Sequence, residues 1–321
     1  MIELVRDIVK EQLGTEGEKS DFDLLKLKSR RGRHYLTNYL IFGPGNHPIY
    51  FLKVGWEARY FEKVRKDYNG PVEVRRRVQD SEFLAGVPDP LYIGEHEGKL
   101  LSFFRAFEGV RLINKLKQDD GPLARRNWDL LLKCMDFLCA FQRLLKCETI
   151  FINDLEFDER VLAYLNKCAA LLANSRAGNK VLEDVQMIRG IGLPLVMSHG
   201  DFNIYNFIKS PGTLFLHDWE EVTCKDLPFY DLFSLFFVYI FFFSSSIERT
   251  VPETYLSSPI LRNGLSYYCD SMGIDIDIAR VYLPVFLARA QLQLRDEDNS
   301  LRSDLPWAKI LLAYSGGVGE W

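Results

Sequence analysis

The run LFSLFFVYIFFF, from Leu232 to Phe243, is almost continuously apolar, and a segment of that kind must be enclosed on every side. Twelve residues of helix rise only about 18 Å, short of the roughly 30 Å of a bilayer core. The run therefore predicts a helix buried inside a helical body large enough to surround it. No membrane span is expected.

The rest of the chain supplies such a body. From about Gly121 onward helical periodicity dominates, with helices expected over Leu123 to Leu145, Leu155 to Ala173, Val181 to Arg189, Tyr230 to Phe243, Pro259 to Met272, Asp277 to Asp296 and Pro306 to Tyr314. Pro284 is expected to kink the second-last. The first part reads differently. An amphipathic helix, Ile2 to Leu13, precedes alternating stretches LLKLKS, YLTNYLIF and IYFLKVG, with GPGNHP as a hairpin turn. A charged helix over about Val72 to Leu84 and two further strands within GVPDPLYIGEHEGKLLSFFRAF complete it. The expected architecture is α+β. A five-stranded antiparallel sheet with one helix spans residues 1–105, and a larger helical part spans 106–321.

Net charge is −4, so no global field recruits nucleic acid. The six cysteines form no CxxC pair and read as reduced core thiols of a cytoplasmic protein. With Glu3, Asp7 and Glu11 in its apolar pattern, the N-terminal helix is not expected to be a signal peptide.

Into the helical region the chain inserts two short apolar strands, LPLVM and TLFLH, and between and after them the polar sequence SHGDFNIYN and then DWEE. A carboxylate expected at a loop tip, Asp201, can accept a proton from a substrate hydroxyl. Asn206 and Asp218 can hold a divalent cation through oxygen. Those residue types suit phosphoryl transfer, in which a protein mainly positions donor and acceptor and neutralises phosphate charge. A metal-dependent hydrolase built on His199, Asp201 and Asp218 is the competing chemistry, but His34, His47, His96 and His217 show no ligand pattern.

His199-x-Asp201-x4-Asn206, with Asp218 twelve residues on, has the spacing of the kinase catalytic loop and its metal-binding aspartate. In the form SHGDFNIYN…LHDWE it resembles the aminoglycoside phosphotransferase family. The resemblance implies a bilobal, protein-kinase-like fold. It implies Asp201 as catalytic base, Asn206 and Asp218 as Mg²⁺ ligands with Glu220 assisting, a structural His199, and Asp231 in LPFYDLFSLF as a scaffold carboxylate. It also implies ATP or GTP as donor and a hydroxyl-bearing small molecule as acceptor. The segment after HDWEEV reaches LPFYD within about ten residues, too few for a peptide-docking segment. The non-catalytic alternative is a kinase-shaped binding module.

On the donor side, Lys53 in IYFLKVG shares a strand face with Ile49 and Phe51, so a buried ammonium there needs an anionic partner. Glu73 is the expected partner, with Glu57, Glu62 and Glu82 as rivals. The loop SRRGRH offers only Gly32 where many kinases are glycine-rich, and Arg30, Arg31 and Arg33 are candidate phosphate contacts. Adenine is expected near Phe104 to Phe107.

Overall fold

The computed structural model describes residues 2–12, 23–27, 36–43, 47–168, 181–243, 258–293 and 310. Two compact units emerge. The first comprises residues 1–115, 199–201 and 205–222, and the second takes the remainder. The first unit thus runs past Arg105 and takes in much of the polar motif.

Its frame is an antiparallel sheet of five strands, β1 (Asp23–Lys26), β2 (Leu36–Phe42), β3 (Pro48–Gly55), β4 (Pro90–His96) and β5 (Lys99–Arg105), in the order β1-β2-β3-β5-β4. Side chains alternate across a strand, so the register fixes two faces. Tyr39, Ile41, Tyr50, Leu52, Val54, Leu101 and Phe103 pack with Val5, Ile8 and Val9 of helix α1 (Ile2–Gln12) into one core. The opposite face carries Asn38 and Leu40 of β2, Phe51 and Lys53 of β3, and Ser102 and Phe104 of β5, with Asn38 across from Lys53 and Lys53 across from Ser102.

Helix α2 (Phe61–Arg77) lies on that second face, where Phe61 and Val64 meet Leu100. It begins well before the expected Val72. Asn69-Gly70-Pro71 reads as a breaker, yet the helix continues through it with Pro71 inside. Proline removes one hydrogen bond from the ladder, the one to the Asp67 carbonyl, without ending the helix. A short turn, Ser81–Leu84, capped by the Asp80 carboxylate, follows separately. A second small sheet in this unit joins β6 (Val110–Arg111) to the hairpin Phe207–Lys209 and Leu214–Leu216.

The second unit is mainly helical. Its helices Arg125–Leu144, Tyr230–Phe243, Pro259–Met272 and Ile276–Gln293 agree with the periodicity, and Pro284 lies inside the last. The segment expected to continue to Ala173 is described only to Cys168, as the pieces Asp154–Phe157, Asp158–Leu162 and Ala163–Lys167. Apart from Ile310, the expected helix Pro306 to Tyr314 falls outside the described residues.

Tyr230–Phe243 is the enclosed helix: Leu232, Phe233, Leu235, Phe236, Phe237 and Tyr239 are fully buried. Among the described residues no helix is long and apolar enough to cross a membrane. The two strands framing the polar motif do not pair with each other. Gly192–Ser198 joins Glu148–Phe151 and Thr223–Asp226 in a sheet of the second unit, whereas Leu214–Leu216 belongs to the first. All six cysteines are unbridged.

Candidate active site

Lys53 is 3% exposed, and its ammonium meets three carboxylates. Asp67 Oδ2 and Asp218 Oδ1 each lie 2.9 Å from Nζ, and Glu220 Oε2 lies 4.0 Å away. Burial alone would lower the Lys53 pKa, but the charges of Asp218, Asp67 and Glu220 outweigh it and raise the pKa, so the group stays protonated. Lys53 in turn holds the Asp218 carboxyl well below the usual carboxylate range, against the opposing effect of burial. Asp67 is more deeply enclosed, and there desolvation prevails and raises its pKa.

Asp67 is the helix carboxylate that the sequence reading missed. Glu73, expected in that role, instead lies beside Arg76 one turn along the helix, with both guanidinium contacts within 2.9 Å. The buried stripe of α2 runs Phe61, Val64, Asp67, Gly70, Pro71, Val74, and the signal was available there: an acid in a helix's apolar face at about one residue in 3.6 needs a partner. Seeing it required carrying the helix through Asn69-Gly70-Pro71. Asp67 has a second task, since its Oδ1 accepts the Trp219 backbone N–H at 2.6 Å. Trp219 is fully buried, and a β-carbon at Gly70 would crowd its Cε3 at 3.3 Å and Val222 Cγ1 at 3.2 Å.

The loop carrying Asp201 is built just as tightly. Gly200 has φ +81°, and a β-carbon there would stand 2.3 Å from the Glu221 carbonyl oxygen, so only glycine fits. The fully buried His199 accepts the Asp201 N–H at Nδ1 (3.3 Å), and its ring meets Trp219 edge-on at 4.8 Å. Asn206 Nδ2 donates at 2.8 Å to both the backbone oxygen and Oδ2 of Asp201, which orients that carboxylate. The Asn206 carbonyl accepts the His217 N–H at 3.0 Å, bringing the hairpin's far end beside it. Asp218 then adopts φ +70°, a left-handed conformation uncommon outside glycine and of the kind concentrated at functional sites.

A cavity of about 860 Å³ opens on this face, within the range of ligand sites. Lys53, Asp67, Asn206 and Asp218 line one part, and Leu40, Phe51, Phe104, Phe107 and Phe215 line another. Phe107 and Phe215 stack with centroids 4.0 Å apart. The carboxylates gather on the wall with Lys53, and aromatic rings gather on the wall with Phe104 and Phe107, where Arg105 also lines the cavity.

Solved structures share this fold. An amicoumacin kinase in complex with AMP-PNP, Ca²⁺ and Ami matches at TM-score 0.52 and 12% identity, over 97% of this chain and 92% of that one. A glucosamine kinase in complex with glucosamine, ADP and inorganic phosphate matches at 0.50 and 10%, over 92% and 81%. The chain has the fold of the small-molecule kinases. An aminoglycoside phosphotransferase from Streptomyces rimosus, in complex with ADP and streptomycin, matches at 0.44 and 14%, over 88% and 97%. No protein-family model matches the sequence, and no curated protein does.

Within this kinase-like fold, the residues present fit a divalent cation. Asn206 and Asp218 are hard oxygen donors on one cavity wall. With Asn206 Nδ2 committed to Asp201, its carboxamide oxygen is the atom left for a metal. Three carboxylates around one ammonium also leave an excess of negative charge. Among the described residues no group of three or more His, Cys, Asp or Glu is arranged to hold a metal, so a cation here would take part of its coordination from a ligand and water. Glu220 is not on the cavity wall and lies between Lys53 and Lys63 (3.6 Å). Gly32 and Arg31, with Arg30 and Arg33, lie outside the described residues. Asp231 is fully buried in the first turn of Tyr230–Phe243.

His199 gives the first testable consequence. Burial brings its pKa down to about 3, whereas an unfolded histidine titrates near about 6.5. The folded-state value is depressed, so as pH falls below about 6.5 the unfolded chain binds a proton that the folded chain refuses until about pH 3. Stability therefore drops with pH across that window. Thermal melts of His199→Gln between pH 7 and pH 4 should show a shallower decline than the wild type; parallel curves would remove His199 from the acid response.

Proposed function

We propose that the protein is a small-molecule kinase that transfers the γ-phosphoryl group of ATP, or GTP, to a hydroxyl group. The observation that carries this reading is the convergence within one compact unit: Lys53, Asn206 and Asp218 line one cavity, and Asp201 is hydrogen-bonded to Asn206. Lys53 binds donor phosphate oxygens and stays anchored by Asp67 while doing so. Asp201, held by Asn206, aligns the acceptor hydroxyl and takes its proton. Asn206 and Asp218 would hold a divalent cation, Mg²⁺ in this reading, which would supply neutralisation of the donor phosphate charge. The aromatic residues Phe104 and Phe107 cover the base.

The structural neighbours act on amicoumacin and glucosamine, which supports a small hydroxylated acceptor, with amino sugars and amino alcohols first to be tested. Lys53 and Asp218 are in contact at 2.9 Å, so donor phosphate engaging Lys53 would leave Asp218 free to hold the cation, and nucleotide and cation should bind best together. Thermal denaturation with ATP or GTP, with and without Mg²⁺, tests this. Nucleotide at 100-fold over Kd should add about 2.7 kcal/mol of stability, with a smaller gain when Mg²⁺ is omitted. The absence of any shift with either nucleotide would sink the proposal. ADP release over a panel of amino sugars, sugars and amino alcohols then identifies the acceptor.

A further inference from the structure

We propose that Asn38 is a phosphate-binding residue of the donor site, its side-chain amide donating to an α- or β-phosphate oxygen of the nucleotide beside Lys53. The proposal rests on the kinase reading and deepens it at a residue outside the HGD and DWE motifs.

Two cross-strand rows contribute residues to the cavity. Leu40 and Phe51 pair in one and continue to Phe104, and Asn38 and Lys53 pair in the next and continue to Ser102. The rows are two residues apart along each strand, about 6.6 Å. The first is apolar and suits a base. The second begins where the ammonium is, and at that level Asn38 faces the cavity together with Lys53.

No hydrogen bond among the described residues uses the Asn38 side chain. Among the described residues its Oδ1 is buried with no hydrogen-bond partner, a loss that a leucine at the same place would avoid. On the opposite face, the neighbouring Thr37 hydroxyl accepts the Trp56 indole N–H at 2.9 Å, so a polar residue of this strand does find a partner where the fold needs one. With Oδ1 closed off, Nδ2 is the polar atom available to the cavity. It carries only donors, and phosphate at neutral pH offers only acceptors. Ser102 is the internal control: its hydroxyl is also buried and unpartnered on the other side of Lys53, but it does not line the cavity.

The test is calorimetric titration of ATP, ADP and adenosine into the wild type, Asn38→Leu, Asn38→Asp and Ser102→Ala, with a melting curve of each unliganded protein. Asn38→Leu should weaken ATP and ADP about tenfold, the size of one lost hydrogen bond to a charged group. Adenosine binding should be unchanged, and the unliganded melting temperature equal to or above wild type. Asn38→Asp, of the same shape but without the donor and with added negative charge, should weaken ATP more. Ser102→Ala should bind all three ligands as the wild type does. Equal losses for ATP and adenosine, no loss for either, or a lower melting temperature for Asn38→Leu would overturn the assignment. A wild type that binds none of the three ligands would overturn the donor site itself, and Asn38's role with it.

Discussion

Asp201→Asn should lower turnover by about 10²- to 10⁴-fold, the usual contribution of a positioned acid–base group, while nucleotide affinity and melting temperature stay at wild-type values. The substitution keeps the side chain's size. The Asn206 bond to the backbone oxygen of residue 201 does not depend on the carboxylate, and the new carboxamide oxygen can still accept the second one. What disappears is an anion able to take a proton from the acceptor hydroxyl. The measurement is steady-state ADP release alongside nucleotide titration. Unchanged turnover would remove Asp201 from the chemistry, and a parallel fall in nucleotide affinity would show that the loop had been disturbed.

Lys53→Met should cost about 3–5 kcal/mol of folding stability, the scale of an uncompensated buried charge. Lys53 and Asp67 side chains are 4% and 5% exposed, and Glu220 is 17% exposed. Removing the ammonium leaves Asp67 and Asp218 without their cation, while Glu220 keeps Lys63 at 3.6 Å, so the first two become harder to ionise and the folded-state pKa of each rises. The sign of the pH response follows: the variant's deficit grows above that raised pKa and shrinks as acid protonates one of the group. A second substitution, Asp67→Leu, should recover part of the loss by removing one uncompensated charge, although it leaves the Trp219 N–H without its acceptor. Chemical denaturation of the two single variants and the double variant measures the coupling. Glu73→Ala, in contrast, should stay within about 0.5 kcal/mol of wild type, because Glu73 pairs with a largely exposed arginine. A large effect at Glu73 and none at Lys53 would reverse the assignment made here.

The difference between Glu73 and Asp67 shows where the sequence was legible and where it was not. Strand alternation placed Lys53 on an enclosed face, and the family resemblance carried by His199, Asp201, Asn206 and Asp218 implied the kinase-like fold. Those signals are local, set by a two-residue period or by a loop of fixed length. The partner of Lys53 is not local. Finding it required knowing that α2 begins at Phe61 and passes through Pro71, and a Gly-Pro pair argues for a turn unless packing overrides it. Here packing does override it: Gly70 admits Trp219 against the helix, and Pro71 is itself buried in the apolar stripe. For the same reason the two strands flanking the motif could be recognised individually but not assigned to separate sheets, since pairing partners lie far away in sequence. Asn38 illustrates a third limit. A polar residue in an alternating strand reads as its wet face until the register sets it opposite Lys53.

The double use of Asp67 has a consequence for control. Many switchable proteins turn off by swinging a helix out of place, and that works only if little is lost when the helix leaves. Here any withdrawal of α2 would deprive the Lys53 ammonium and the Trp219 amide of the same carboxylate at once. An effector acting by that route would have to discriminate between the two positions by several kcal/mol. A molecule fastened in this way is poorly suited to a lever of that kind.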